Sequence, residues 1–253
     1  MKTFDIQAIY VMWLRQMKRF VRSKGRLVTT IIQPLFFLVI LGSGFSTITS
    51  GLGGNYIHFL APGIITMAIL FSSMFTGISV LWDKQFGFLQ EVLVAPVSRL
   101  SIIIGRTLGG ATTALIQGFI ILAIAIGLGV PISSIFGLLL TIVFMVLIAF
   151  AAVGFGLVLA SKMQDFQAFP LIMNLVIMPL LFLSSAFFPV SQSKTLQTIA
   201  YANPMFYMVD GLRGSLVGVE STSLPIYIDL IVVLLFCMFM MAIGSYFFSK
   251  SEA

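Results

Sequence analysis

The sequence predicts an all-α polytopic membrane protein with six transmembrane helices. Three observations support this fold class. Of the 253 residues, 59% are hydrophobic and only 9% are charged, and the mean hydropathy is +1.12. Soluble domains carry about 25% charged residues, so this composition excludes a soluble globular domain. The apolar residues also fall into six runs, each close to the roughly 20 residues that cross about 30 Å of hydrocarbon.

Residues 1–26 predict a basic amphipathic helix that lies in the plane of the membrane. They hold half of all Lys and Arg residues. One helical stripe is basic and consists of Arg15, Lys18, Arg19, Arg22 and Arg26. The opposite stripe is apolar and consists of Ile6, Tyr10, Trp13, Met17 and Phe20. Such a helix is expected to place its apolar side at the acyl boundary and its basic side toward the cytoplasm. A helix that only attaches to anionic lipid explains the same charges, and this alternative stays open.

The predicted spans occupy residues 27–47, 60–81, 102–127, 132–160, 168–188 and 225–248. They make residues 27–248 a six-helix membrane bundle, which is followed by a short cytoplasmic tail, residues 249–253. Of the fourteen Lys and Arg residues, only Lys194 and Arg213 fall on one side of this topology. The positive-inside rule therefore predicts a multi-pass protein of the cell membrane, with both termini in the cytoplasm.

A charged interruption between the second and third spans runs from Trp82 to Arg99. Its charges are too many to lie in hydrocarbon, and they are Asp83, Lys84, Glu91 and Arg99. Apolar residues interleave with them, which predicts a short amphipathic helix over residues 85–94 that is stopped by Pro96. Two interpretations are equal on this pattern alone. The stretch is either a docking site for a soluble partner or an ordinary interfacial turn.

The connection between the fifth and sixth spans predicts two short helices, separated at Asn203-Pro204. These half-apolar segments, residues 195–201 and 203–214, are too short and too polar to span the membrane. They are expected to re-enter it partway or to lie on its outer face. A gate over an exit path and a simple outer cap are both consistent with this pattern.

Several function classes lack their residues in this sequence. It contains no phosphate-binding loop and no Gly-Lys pair, no metal-ligand spacing and no Ser/His/Asp triad. Arg106, a few residues into the third span, is expected to snorkel to the cytoplasmic face. No carboxylate lies at a midplane, where an ion-driven transporter needs one. The chain is therefore not expected to be an enzyme or to hold a cofactor, a metal or nucleic acid.

Four features of the sequence occur in combination with the six spans. These are the basic N-terminal helix, Glu91-x-Leu93-x-x-Pro96-x-Ser98-Arg99, Ser184 to Pro189, and Asn203-Pro204…Tyr207-x-Val209-Asp210-x-Leu212-Arg213. Together they resemble the membrane-spanning permease subunits of type-two ABC exporters, the daunorubicin-resistance-like group. The resemblance covers essentially the whole chain as a single transmembrane domain.

The resemblance implies a homodimer or heterodimer of permeases in the lipid bilayer, with two ATP-binding subunits that would hold the ATP and Mg. The implied contacts with this ATPase are the coupling residues Phe86, Gly87, Leu89, Glu91, Pro96 and Arg99 and the interface-helix residues Arg15, Lys18, Arg19 and Arg22. The implied outer re-entrant gate consists of Asn203, Pro204, Tyr207, Asp210 and Arg213. The candidate substrate path consists of Phe36, Phe37, Phe71, Phe75, Met173 and Met178.

What these residues imply is a permease for the ATP-driven efflux of a hydrophobic or amphipathic substrate, drug-like or lipid-like, as in multidrug export. Alternating access would move the substrate, and a lining rich in Met and Phe suits it. Two alternatives stay open, a glycan or polysaccharide export permease and a structural or sensory membrane protein that does not transport. An ABC ATPase that accompanies the chain would favour the exporter, and the lack of a copurifying ATPase would favour the second alternative.

Overall fold

A computed structural model describes residues 5–49, 56–86, 98–165, 167–190 and 193–251. These ranges are predominantly helical and contain no strand, which confirms the all-α fold class. The helices are α1 (Ile6–Arg22), α2 (Lys24–Thr49), α3 (Tyr56–Gln85), α4 (Arg99–Gly127), α5 (Ile135–Lys162), α6 (Ala168–Phe182), α7 (Lys194–Tyr201), α8 (Pro204–Leu216) and α9 (Ile226–Ser251). A single 3₁₀ turn, Val219–Ser221, lies between α8 and α9 in the described part of the chain.

Among the described residues, four helices are long and apolar enough to cross a membrane, namely α3, α4, α5 and α9. The apolar stretch of α2, Val28–Gly44, and the whole of α6 are shorter. With 15 residues, α6 is about 22 Å long, which is less than the roughly 30 Å of hydrocarbon. Four spans are therefore supported directly, and the six-span topology remains a prediction.

The predicted fifth span, residues 168–188, is wrong at its end because α6 stops at Phe182. The next two backbone amides still bond back to carbonyl groups of the last turn, at 3.0 and 3.1 Å. Ser185 then takes a left-handed conformation with φ 62°, which a continuing helix does not allow. The turn after α6 is held instead by Arg213 of α8, which donates to the Ser185 carbonyl oxygen.

Helix α3 forms the centre of the bundle and packs against α2, α4, α5 and α8. Glycines allow close approach between several pairs of helices. A methyl group placed on Gly77 of α3 would lie 2.8 Å from the carbonyl oxygen of Gly156 on α5. One on Gly244 of α9 would lie 2.7 Å from the carbonyl oxygen of Gly154 on α5. These glycines therefore serve packing within one chain.

Helix α1 packs against α4 and is part of the bundle. Met12 and Phe20 are buried, and the Trp13 indole donates a hydrogen bond to the Thr112 hydroxyl at 3.1 Å. Ile6, by contrast, remains 74% exposed. The apolar stripe of α1 therefore serves protein packing at some positions and is free to meet lipid at others.

The predicted extent of the basic helix, residues 1–26, is wrong at its C-terminal end. The helix is interrupted at Ser23, whose hydroxyl donates to the Arg19 carbonyl oxygen at 2.6 Å. Serine side chains compete in this way with the backbone hydrogen bonds of a helix. Helix α2 begins at the next residue, Lys24, so Arg26 belongs to α2 and not to the basic stripe of α1.

Candidate functional site

Four charged residues meet at the C-terminal end of α3, and we call them the arginine cluster: Asp83, Arg15, Arg19 and Arg106. Arg15 binds the Asp83 carboxylate with both Nη1 and Nη2, each at 2.7 Å. Arg19 Nη2 lies 3.0 Å from Oδ1, and Arg106 Nη2 lies 2.9 Å from Oδ2. Bidentate contacts between guanidinium and carboxylate are among the strongest charge-assisted hydrogen bonds. The cluster therefore ties α1 and α4 to the end of α3.

Arg106 does not snorkel as the sequence suggested. Its side chain is 0% exposed and lies 2.9 Å from Asp83. Its Cζ atom lies 5.7 Å from the centre of the Phe248 ring on α9. A buried cation is tolerated where an anion pairs with it, and Asp83 provides this anion. Arg106 thus connects α3, α4 and α9 at this end of the bundle.

The four predicted interface-helix residues divide into two pairs. Arg15 and Arg19 bind Asp83 of α3. The basic stripe was expected to face the cytoplasm, but these two side chains contact the bundle itself. Lys18 and Arg22 are exposed and line an open cleft of about 500 Å³ along α1. Arg15 and Arg19 line the same cleft and stay partly exposed, so Lys18 and Arg22 are the more accessible part of the stripe.

The structure describes two of the six predicted coupling residues. Phe86 is 67% exposed just after α3, and its ring centre lies 5.1 Å from that of Trp82. Arg99 begins α4, and its Nη1 donates to the Ser249 carbonyl oxygen of α9 at 2.8 Å. This contact, which sequence reasoning missed, joins the start of α4 to the last turn of α9. The remaining coupling residues lie outside the described residues, namely Gly87, Leu89, Glu91 and Pro96.

All five predicted gate residues lie on α8 or at its start. Asn203 caps the helix, and its Nδ2 donates to the Leu180 carbonyl oxygen of α6 at 2.6 Å. Pro204 occupies the first helical position. The backbone N–H of that position makes no hydrogen bond within a helix, so proline, which lacks this N–H, is tolerated there. The Tyr207 hydroxyl donates to the Tyr201 carbonyl oxygen at 2.8 Å. These contacts fasten α8 to α6 and α7.

Arg213 and Asp210 fasten α8 to three further places. Arg213 is 1% exposed, and its Nη2 donates to the carbonyl oxygens of Ser185 at 2.7 Å and Phe59 at 3.3 Å. Its Cζ lies 3.9 Å from the centre of the Phe59 ring, a cation–π geometry. Asp210 lies 3.6 Å from Nη1 of Arg213 and accepts two backbone amides in the loop before α9. The pair therefore holds α8 against α3, the turn after α6 and this loop.

The two short helices predicted before the last span are confirmed, and they differ in burial. Eleven of the 13 residues of α8 are buried, so this helix is built into the bundle. It packs against α5, α9 and α3. In α7, by contrast, Ala200 is the one buried residue of eight.

A cavity of about 210 Å³ lies between α2, α3 and α6, and two predicted path residues, Phe71 and Phe75, line it. Its polar lining was not predicted and consists of Thr29, Thr30, Gln33 and Asn174. Gln33 and Asn174 are both exposed. An amide side chain within an apolar run is the feature of the sequence from which these two lining residues could have been predicted. None of the described residues that line the cavity carries a charge.

The other four predicted path residues do not reach this cavity. Met173 is 1% exposed and lies in the core, and Met178 packs against the same core. The Phe37 ring centre lies 5.9 Å from that of Phe187, and Phe36 is 60% exposed on α2. The structure therefore separates the predicted path into a cavity lining and a set of packing or surface residues.

Comparison with known proteins identifies one family. The model of the ABC-2 type transporter family matches residues 7–217. The inner membrane transport permease YadH of Escherichia coli (strain K12) is 27% identical over 233 residues, 89% of each chain. A transport permease named ycf38 from Pyropia yezoensis is 32% identical over 218 residues, 82% of this chain and 73% of the relative. Nodulation protein J of Rhizobium leguminosarum bv. trifolii is 27% identical over 213 residues, 83% of this chain and 78% of the relative.

The family match covers the parts of the chain on which the resemblance rested. Residues 7–217 include nearly all of α1, the segment that follows α3, and the whole of α8. The apolar helices of the bundle are consistent with the same assignment, since four of those described can cross a membrane. The chain belongs to the ABC-2 type transporter family and is a multi-pass membrane permease of an ABC transporter.

Proposed function

We propose that the chain is the permease subunit of an ATP-driven exporter that moves a hydrophobic or amphipathic substrate out of the cytoplasm or inner leaflet. A separate ATP-binding subunit hydrolyses the ATP, and two permease copies, identical or different, form the transport path. The name of YadH supports a location in the inner membrane. The asymmetry of Lys and Arg supports cytoplasmic termini.

The arginine cluster is the observation that carries this proposal. Helix α3 contains the start of the predicted coupling segment, Trp82 to Arg99, and α4 begins at its last residue. Asp83 holds α1 to the same end of α3 through contacts of 2.7 and 3.0 Å. A force that a partner applies to the segment or to α1 therefore enters α3 and α4 together. Such a rigid connection is what movement between inward-open and outward-open arrangements needs.

The cavity between α2, α3 and α6 is the proposed contact with the substrate. Its volume of about 210 Å³ is below the roughly 300–1,000 Å³ of pockets that enclose a drug-sized molecule. It therefore fits part of a larger molecule, such as a head group. Phe71 and Phe75 provide apolar surface, and Gln33 and Asn174 provide amide donors and acceptors. Because the described lining is uncharged, a neutral amphiphile fits better than an ion.

Copurification of an ATPase tests the proposed function. We expect the wild-type chain, extracted from its own membranes in mild detergent, to bring down an ABC ATP-binding subunit. Glu91→Arg should weaken this association, because charge reversal at a docking ion pair costs about 2–5 kcal/mol. This cost corresponds to roughly 30-fold to 5,000-fold weaker binding. The measurement is the amount of ATPase bound per permease.

Glu220→Arg is the matched control for this experiment. Glu220 is an exposed glutamate in the turn Val219–Ser221, which follows α8. Helix α8 contacts the start of α3 at Phe59, whereas the arginine cluster lies at the other end of α3. The same charge reversal there should leave the bound ATPase unchanged. A wild-type chain that brings down no ATPase would remove the energy source of the exporter and would support the structural or sensory alternative.

The two amides of the cavity give a second prediction. In cells loaded with the neutral dye Nile red, we expect Asn174→Leu and Gln33→Leu each to slow energy-dependent efflux by about 2-fold to 12-fold. Such a factor corresponds to the loss of one hydrogen bond worth about 0.5–1.5 kcal/mol. Leu175→Ala is the control, because Leu175 is 75% exposed on α6 and does not line the cavity. Wild-type efflux in both leucine variants would show that the cavity is not the substrate contact.

A further inference from the structure

Asp229 lies in the first turn of α9 and is completely buried. Its exposed fraction is 0%, and neither carboxylate oxygen has a hydrogen-bond partner among the residues that the structure describes. Gly211 of α8 lies directly beside it, since a methyl group placed on Gly211 would be 2.9 Å from Asp229 Cβ. The same methyl group would be 2.4 Å from the Phe144 ring of α5. The carboxyl group is therefore enclosed where α5, α8 and α9 pack together.

The cation on α8 is already engaged with other groups. Arg213 donates to the Ser185 and Phe59 carbonyl oxygens, and its pairing with Asp210 extends to 3.6 Å. Asp210 itself accepts backbone amides in the loop before α9. Arg213 therefore pairs with Asp210 of α8, and no ion pair among the described residues joins it to Asp229 of α9.

Among the described residues, the other elements packed around Asp229 add no cation. Besides Asp210 and Arg213, α8 contributes Tyr207, a neutral phenol. The first ten residues of α5, residues 135–144, contain no titratable side chain. On α9 itself and in the preceding turn, Tyr227 and Glu220 are exposed. Helix α4 meets α9 at the opposite end, where Arg99 bonds to Ser249.

An ionised carboxylate is costly in such surroundings. An isolated buried charge loses its hydration, and it becomes neutral unless a partner compensates it. The N-terminus of α9 favours an anion at this position, but that effect is much smaller than the cost of burying an unpaired ion. A metal cation would need several oxygen ligands, and the oxygens of the neighbouring Asp210 are engaged with amides. A proton needs no ligand other than Asp229.

We propose that Asp229 is a proton-binding site that is occupied while α8 and α9 are packed together, and that loss of this proton favours their separation. The protonated carboxyl group is neutral and can stay buried, whereas the carboxylate requires water around it. Raising the pH at the predicted outer face therefore favours the separated arrangement. Above the pH at which the proton is lost, the ratio of packed to separated forms falls by up to tenfold per pH unit.

Infrared spectroscopy of the full chain in lipid nanodiscs tests the proton directly, because carboxylic acids and carboxylates absorb at separate frequencies. The wild-type spectrum minus that of Asp229→Asn, at neutral pH, should contain a carboxylic acid band. Asp165→Asn is the matched control, since Asp165 is exposed after α5 and should contribute carboxylate bands. Carboxylate bands in the Asp229 difference spectrum would overturn the proposal.

The native thiol of α9 reports on the packing. Cys237 is the only cysteine of the chain, lies about two helical turns from Asp229, and is 7% exposed. Its labelling rate with a membrane-permeant maleimide is measured in the wild type and in Asp229→Asn across the neutral and mildly alkaline range. The ratio of the two rates cancels the pH dependence of the thiol itself. We expect this ratio to rise with pH by up to tenfold per unit.

Two further conditions complete the test. Asp229→Val should behave like Asp229→Asn, because both side chains lack the titrating group. Replacing sodium with choline should leave the wild-type ratio unchanged, and a change would overturn the proposal in favour of a bound metal cation. A ratio that is constant across the pH range would also overturn it. None of these measurements requires the ATPase, so the outcome is independent of the proposed transport function.

Discussion

Replacing Asp83 with alanine should separate α1 from the end of α3 and lower the free energy of unfolding by about 3–5 kcal/mol. The reason is that Arg106, which is 0% exposed, would keep a buried charge without the anion that compensates it. Arg15 and Arg19 would lose the carboxylate that holds α1 in place. Thermal unfolding in detergent measures the loss of stability. Copurification measures the amount of ATPase bound, which should fall because α1 is no longer held at the end of α3.

Two variants make this prediction specific to the arginine cluster. Lys84→Ala removes an exposed charge from the adjacent position and should leave both measurements unchanged. Asp83→Ala combined with Arg106→Met should be more stable than Asp83→Ala alone, because an apolar side chain replaces the uncompensated cation. If Asp83→Ala unfolds at the same temperature as Lys84→Ala, the cluster does not support α1.

Arg213→Ala should be comparably destabilising, by about 3–5 kcal/mol, because it removes the partner of the buried Asp210 carboxylate and leaves two carbonyl groups without their donor. The turn after α6 and the start of α3 should then become mobile relative to α8. Hydrogen exchange of the α8 amides, together with thermal unfolding, measures this loss.

Arg213→Lys distinguishes the geometry of the side chain from its charge. A lysine keeps the positive charge but lacks the planar fork that reaches Ser185 and Phe59 together, so we expect it to restore only part of the stability. Lys194→Ala is the control, since Lys194 is an exposed cation on α7 at the same end of the fold. Full stability in Arg213→Lys would show that charge alone holds α8.

Local patterns were sufficient for much of the fold. Hydropathy runs located the long spanning helices, and the predicted span 102–127 agrees closely with α4, Arg99–Gly127. The Asn203-Pro204 pair located the break between α7 and α8, because asparagine is a preferred N-cap and proline a preferred first residue. Such signals act within a few residues, so they are readable without knowledge of the neighbours. The family resemblance was readable for the same reason.

Contacts between distant helices depended on the tertiary structure. The sequence shows both Asp83 and Arg106, but it predicted that Asp83 lies in water and that the Arg106 side chain reaches the cytoplasmic face. They meet because α3 and α4 place them at the same depth and on facing sides. Likewise, the turn after α6 is held by Arg213, which comes much later in the chain. Periodicity shows which face of a helix is apolar, whereas the rotation and depth of each helix follow from packing among all of them, and these decide which buried charges meet.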